Sequence, residues 1–184
     1  MSAGLPTLSQ IRGVPRLFLS AFLITLTCGY LSGIYFVHLT TGNSPAGISQ
    51  QFRGNESLPL EQVKEIKYPK STREMLNIVH SHVTSFALIF FAVGAIFLLS
   101  SLPDGMKKFL LVEPFVATLL LFGGMVGVRY LPAGWALPLG ILMMVAGITT
   151  FLVLLAMVGI CLYEMWAGRP LTVRKAQAGP RSTG

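Results

Sequence analysis

The sequence predicts an all-α fold: an integral membrane up-down-up-down four-helix bundle, with both termini on one side. Three observations predict it. Apolar residues make up 53% of the 184-residue chain and charged residues only 11%, against about 25% charged in an ordinary soluble domain. The apolar residues gather in four runs, at about 17–39, 76–99, 109–131 and 136–166, and a helix crosses a bilayer with about 20 such residues. Lysine and arginine are distributed unevenly over the links between the runs, and that asymmetry sets orientation.

Residues 1–16 form a polar lead with proline and glycine, expected to be loosely ordered. The first run is longer than the roughly 7–15 residues of a signal-peptide core and continues through YFVHLTTG instead of a small-residue cleavage site, so it reads as a retained helix. The outer loop, residues 40–75, is the only sizeable extramembrane segment. In it Ser44 before Pro45 has the form of a helix cap with proline in the first turn, and Gly54 reads as the stop. PLEQVKEI, from Pro59, offers a second short helix. Helix two opens at Ser71 with Glu74 three residues on, a capping box ahead of an apolar run. SLPDGMKK is a tight turn, and helix three is expected to start near Pro114. LPAGWALP is the next turn, where Trp135 suits an interfacial belt. Helix four ends in LYEMWAG, and residues 170–184 read as a disordered basic tail.

Eight cations (Arg12, Arg16, Lys107, Lys108, Arg169, Arg174, Lys175 and Arg181) fall on the side of the termini. Six (Arg53, Lys64, Lys67, Lys70, Arg73 and Arg129) fall on the other, where four glutamates offset the loop. The expectation is a multi-pass protein of the bacterial inner membrane with both termini cytoplasmic. The net charge of +7 then reflects topology and contact with anionic lipid, with no nucleic-acid partner. Cys28 and Cys161 lie inside helices, without a disulfide framework or a C-x-x-C-H haem-attachment motif, and read as small buried residues. Small residues let membrane helices approach closely. They recur at Thr25, Cys28, Gly29 and Ser32, at Gly123, Gly124 and Gly127, and at Gly140 and Gly147. The expected partners are other membrane protein subunits and lipids.

All three histidines fall toward the outer face: His38 at the end of helix one, His80 and His82 in NIVHSHVTSF. Ionisable groups inside a bilayer are costly and face a bundle or a cavity. On a helical wheel His80 shares an arc with Asn77, Ser81 and Thr84, whereas His82 lies about 160° away. His80 is therefore expected inward and His82 at a different interface, and an i, i+2 pair is poorly spaced for one metal ion. His38 reads equally as a ligand and as a headgroup-facing histidine. Arg129, at the same face, could pair an anionic group such as a haem propionate or snorkel to the headgroups. The candidate cofactor-binding residues are His80, His38, His82 and Arg129, with His80 as the ligand to haem iron.

No catalytic triad, P-loop or carboxylate pair is present, which argues against a hydrolase or kinase. The reading is a small subunit of a respiratory or photosynthetic electron-transfer complex, holding one haem b near the outer face, with quinol chemistry there. The alternatives are a cofactor-free accessory subunit and a small metal or ion handling protein. Through TTGNSPAGISQQFRGNE, NIVHSHVTSFALIFF, GMVGVRY and LYEMW, the chain resembles a group of uncharacterised bacterial four-helix inner-membrane proteins with an H-x-H at the start of the second helix. It is loosely similar to four-helix membrane cytochromes b. It departs from their two-haem forms, because all three histidines lie toward one face, and the resemblance implies at most one haem per chain.

Overall fold

The structure is a computed structural model and describes residues 6–56, 58–59, 61 and 65–171. Four long helices carry it: α1 (Gly13–Thr41), α3 (Thr72–Phe97), α4 (Asp104–Tyr130) and α5 (Ala136–Ala167), with a short helix α2 (Pro45–Arg53) between the first two. Among the described residues there is no strand. All four long helices are long and apolar enough to cross a membrane.

Local chemistry sets most boundaries. The Ser44 hydroxyl accepts from the Gly47 N–H at 3.0 Å, and Pro45 occupies the first turn of α2, as the sequence predicts. At α3 the capping box forms in both directions: Ser71 Oγ accepts from the Glu74 N–H at 3.3 Å, and Glu74 Oε2 accepts from the Ser71 N–H at 2.8 Å. Gly42 and Gly168 close α1 and α5 in the left-handed region, at φ 59° and 64°, where an L side chain is strained.

Two expectations are corrected. Helix α4 starts at Asp104, so Pro114 lies inside it. In a membrane helix the carbonyl freed by an interior proline can be satisfied by neighbours or local adjustment. The lead is structured from Leu8: residues Leu8–Gln10 make a 3-10 turn, the Leu8 N–H donates to the Leu99 carbonyl at 3.0 Å, and the Leu8 side chain is fully buried. Most of PLEQVKEI (residues 60 and 62–64) and most of the tail (residues 172–184) lie outside the described residues.

The helices alternate in direction. At one end, here the terminal end, Trp166 Nε1 donates to Ser20 Oγ at 3.0 Å, and Leu8 meets Leu99. At the other, the loop end, Tyr130 Oη donates to Thr72 Oγ1 at 3.1 Å, and Arg53 Nη1 donates to the carbonyls of Val128 at 2.9 Å and Leu131 at 2.7 Å. The main core lies toward the terminal end, where Leu8, Leu23, Phe90, Val93, Phe97, Leu102, Val153, Leu154, Met157, Cys161 and Met165 pack together.

Helices α4 and α5 approach closely because Gly124 and Gly127 face α5. A β-carbon at Gly124 would sit 2.8 Å from Met143 Cγ, and one at Gly127 would sit 2.7 Å from Leu139 Cδ1. Gly140 receives Pro45, which seats α2 on the start of α5. The arc on helix one does not behave this way. Thr25, Cys28, Gly29 and Ser32 are exposed, so Cys28 is not the buried residue expected of it, whereas Cys161 is. Around the bundle large apolar side chains face outward, among them Phe18, Leu88, Phe91 and Leu119, as lipid contact requires.

Candidate functional site

The histidine region lies at the loop end, on α1 and α3. Helix α3 buries or half-buries Met75, Ile78, Val79, Val83, Phe86, Phe90, Val93 and Phe97. These positions recur at helical spacing and form its packing stripe. The polar residues fall off that stripe: Asn77, His80, Ser81, Thr84 and Ser85 are all exposed.

This corrects the expectation for His80, which faces outward and not into the bundle, while His82, also exposed, lies beside α4, a different neighbour from His80's, as expected. His82 reaches toward the bundle, its ring 5.4 Å from Phe122 of α4 and 6.3 Å from Phe86. Its Nδ1 lies 2.9 Å from the Ile78 carbonyl. His80 makes no hydrogen bond, ion pair or ring contact with any described residue. The helical wheel gave the correct relative angle between the two. The assumption that the polar arc faces inward supplied the wrong absolute direction.

Below His82 an aromatic layer joins all four long helices. Tyr30 of α1 meets Phe86 of α3 edge-on at 5.8 Å and stacks on Phe151 of α5 at 6.1 Å, while Phe86 lies 5.7 Å from Phe122 of α4. His38 stays apart. Its Nδ1 lies 3.0 Å from Asn43 Nδ2, and its ring stacks on Tyr35 at 6.5 Å. The three histidines are thus held by different neighbours and do not gather in one place. Among the described residues no group of three or more His, Cys, Asp or Glu side chains is arranged to hold a metal ion.

Arg129 serves the loop. Its Nε donates to the Lys70 carbonyl at 2.7 Å, and its guanidinium lies 5.1 Å from the Tyr130 ring centre. It works beside residues that the sequence reading did not single out. Arg53 ties α2 to the end of α4. Lys67 Nζ donates to the Thr40 carbonyl. Buried Asn55 donates to the Glu65 carbonyl at 3.0 Å and accepts from the Lys67 N–H at 2.7 Å. Side chain to backbone bonds over such separations leave no periodic trace in a sequence. The one available signal was the concentration of asparagine and cations in an otherwise polar loop.

At the terminal end Glu164 is fully buried. Its carboxylate accepts from the Ser101 N–H at 3.1 and 3.0 Å, from the Ser101 hydroxyl, and from the Leu171 N–H at 3.2 Å. It fastens α5 to the α3–α4 turn.

Four long apolar helices, alternating in direction and presenting apolar side chains outward, define a multi-pass membrane protein. More narrowly, the chain belongs to a family described as a transmembrane helical domain, whose model matches residues 42–172. The match opens at Gly42, the residue that closes α1, and takes in α2 through α5. No curated protein and no solved structure matches the chain.

Proposed function

We propose that the chain is a small integral-membrane subunit that packs against other membrane chains in a larger assembly, through the polar face of α3. The observation that carries this is the exposed stripe Asn77, His80, Ser81, Thr84 and Ser85. It begins about 8 Å along α3 and extends to about 20 Å at 1.5 Å per residue, a stretch that reaches into the hydrocarbon. None of these side chains makes a hydrogen bond with a described residue. Polar groups in lipid without partners cost free energy, and helix–helix contacts in membranes satisfy them. The exposed arc of α1, with open space over Gly29 and Gly33, offers a second close-approach surface. The arrangement of Lys and Arg supports a bacterial inner-membrane location with both termini cytoplasmic.

Native gels from mildly solubilised membranes test this reading: the chain should migrate within a larger assembly, and a lone monomer would overturn it. Reporter fusions at Gly54 and after Gly168 should report opposite sides of the membrane.

A second, narrower reading is favoured by His80 in particular. An imidazole without a partner on the outer surface of α3 is available as one axial ligand to a single haem b shared with a neighbouring chain, which would supply the second. His82 and His38 are already engaged within the chain. Arg129, held at Lys70 through Nε, keeps its Nη groups for a propionate. The assembly would then be an electron-transfer complex, with quinol as the candidate reductant, as the loose resemblance to membrane cytochromes b suggests. A reduced-minus-oxidised spectrum of native membranes tests it: a b-type band lost in His80→Ala supports the haem, and no band removes the haem while leaving the subunit reading.

A further inference from the structure

We infer that Glu113 is a membrane-embedded proton-binding site, a carboxylic acid that takes up and releases a proton where α4 meets α5. The inference is independent of the histidine face.

Glu113 lies nine residues past Asp104, about 13 Å along α4, which places it inside the hydrocarbon on the terminal half of the bundle. Its Oε1 accepts from Thr150 Oγ1 of α5 at 3.4 Å, and Thr150 is fully buried. Its Oε2 is buried with no hydrogen-bond partner. The residue that follows is proline. Pro114 has no N–H to give to the Leu110 carbonyl, one turn before it in α4. Thr118 turns its hydroxyl back to the Pro114 carbonyl at 2.6 Å.

The surroundings hold little charge. On α1 the titratable side chains between Arg16 and Tyr35 are Cys28 and Tyr30. From α3, residues 83–97 carry no titratable side chain, and from α5 the nearest beyond Thr150 is Cys161, eleven residues on. On α4 itself Lys107 donates from Nζ to the Leu98 carbonyl at 3.1 Å. Among the described residues no cation pairs with Glu113.

The contrast with Glu164 is chemical. That carboxylate is surrounded by donors, an arrangement that holds an ion in place. Glu113 has one long hydrogen bond and one oxygen with none. An ionised carboxylate in that setting is costly, whereas the neutral acid is tolerated. Intramembrane carboxyls of this kind mark proton relays.

The test is labelling of the full chain in native membranes with dicyclohexylcarbodiimide, followed by peptide mass spectrometry. The acid O–H adds across one C=N bond of the reagent: the carboxyl oxygen bonds to the central carbon and the proton goes to nitrogen. Acyl migration then gives a stable N-acylurea, and no group leaves. The adduct is expected on Glu113, falling about tenfold per pH unit once pH passes its titration point. It should be absent in Glu113→Gln, and a water-soluble carbodiimide should not replace it. Thr150→Val removes the one hydroxyl bonded to the carboxyl, so the pH at which labelling falls should change. No adduct on Glu113 at any pH would overturn the proposal, as would labelling that does not vary with pH. Protection by sodium and not potassium at fixed pH would also overturn it, in favour of a cation site. The wild-type pH profile carries the test even if Glu113→Gln fails to fold.

Discussion

The two ends of the bundle differ in how they treat the polar groups of their long helices. At the terminal end a fully buried glutamate is surrounded by the donors of a turn, and the lead, α3 and α5 close over it with Leu8, Phe97, Met157 and Met165. At the loop end α1 stands nearly free: Leu31, Ser32, Gly33, Tyr35, Phe36, Val37, His38 and Leu39 are all exposed, and α3 turns its polar stripe outward. The depth of a polar residue along a membrane helix therefore does not decide its role. A group whose donors come from its own fold is structural, and on the exposed face of α3 a group without partners is open to contact from outside the chain.

The largest effect is expected at the closed end. Glu164→Leu would remove the fully buried carboxylate that ties α5 to Ser101 and Leu171, and losing hydrogen bonds to a charged group costs about 1.5–3 kcal/mol. Thermal unfolding in detergent should report a loss of about 3 kcal/mol, with Glu164→Gln milder because it keeps one acceptor oxygen. An unchanged unfolding temperature for Glu164→Leu would break the contrast between the two ends. Leu8→Ala ranks next, at about 2 kcal/mol for the lost burial and the cavity left behind. Its signature is local: limited proteolysis should cut ahead of Gly13 sooner than in the wild type, while the spans stay protected.

At the open end the effect is smaller because a single contact is at stake. A β-carbon at Gly140 would sit 3.0 Å from Pro45 Cβ and 3.1 Å from Pro45 Cα. Gly140→Val should therefore lift α2 from α5 at a cost of about 1–2 kcal/mol. Hydrogen exchange should speed up in residues 45–53 and leave the core near Phe97 untouched. Protection unchanged in α2 would show that Arg53 alone, bonded to Val128 and Leu131, seats that helix.

These contrasts also show what a sequence of this kind can reveal. The four spans and the caps at Ser44 and Ser71 were legible because each depends on neighbours within a few residues: apolar run length, a hydroxyl before a helix, a glutamate three residues later. The start of α4 was misread because Pro114 looks like a helix opening, while Asp104 after Pro103 starts the helix ten residues earlier. The candidate site was half legible. Helical geometry separated His80 from His82, but only the packing of Phe86 against Tyr30 and Phe122 decides which one faces the bundle. The bond from Arg129 to Lys70 spans 59 positions, and no local pattern announces it.

The smallest change in stability is expected at His80, and it sharpens the comparison most, because His82 two residues away serves as the control. His82→Ala removes an exposed ring that lies beside Phe86 and Phe122, and contacts of that kind contribute about 0.5–1.5 kcal/mol. The isolated chain should lose stability of that order. His80→Ala removes an exposed side chain that makes no hydrogen bond, ion pair or ring contact with a described residue, so the isolated chain should change by no more than about 0.5 kcal/mol. In native membranes the ranking should invert. Loss of His80 should release the chain from its larger assembly, because the partner that satisfies the imidazole is then left facing alanine, while loss of His82 should leave the assembly largely intact. Unfolding of the purified variants beside native gels of the same variants measures both halves. If His80→Ala unfolds more easily than His82→Ala and assembles normally, the outward face of α3 is a lipid surface and the docking proposal fails.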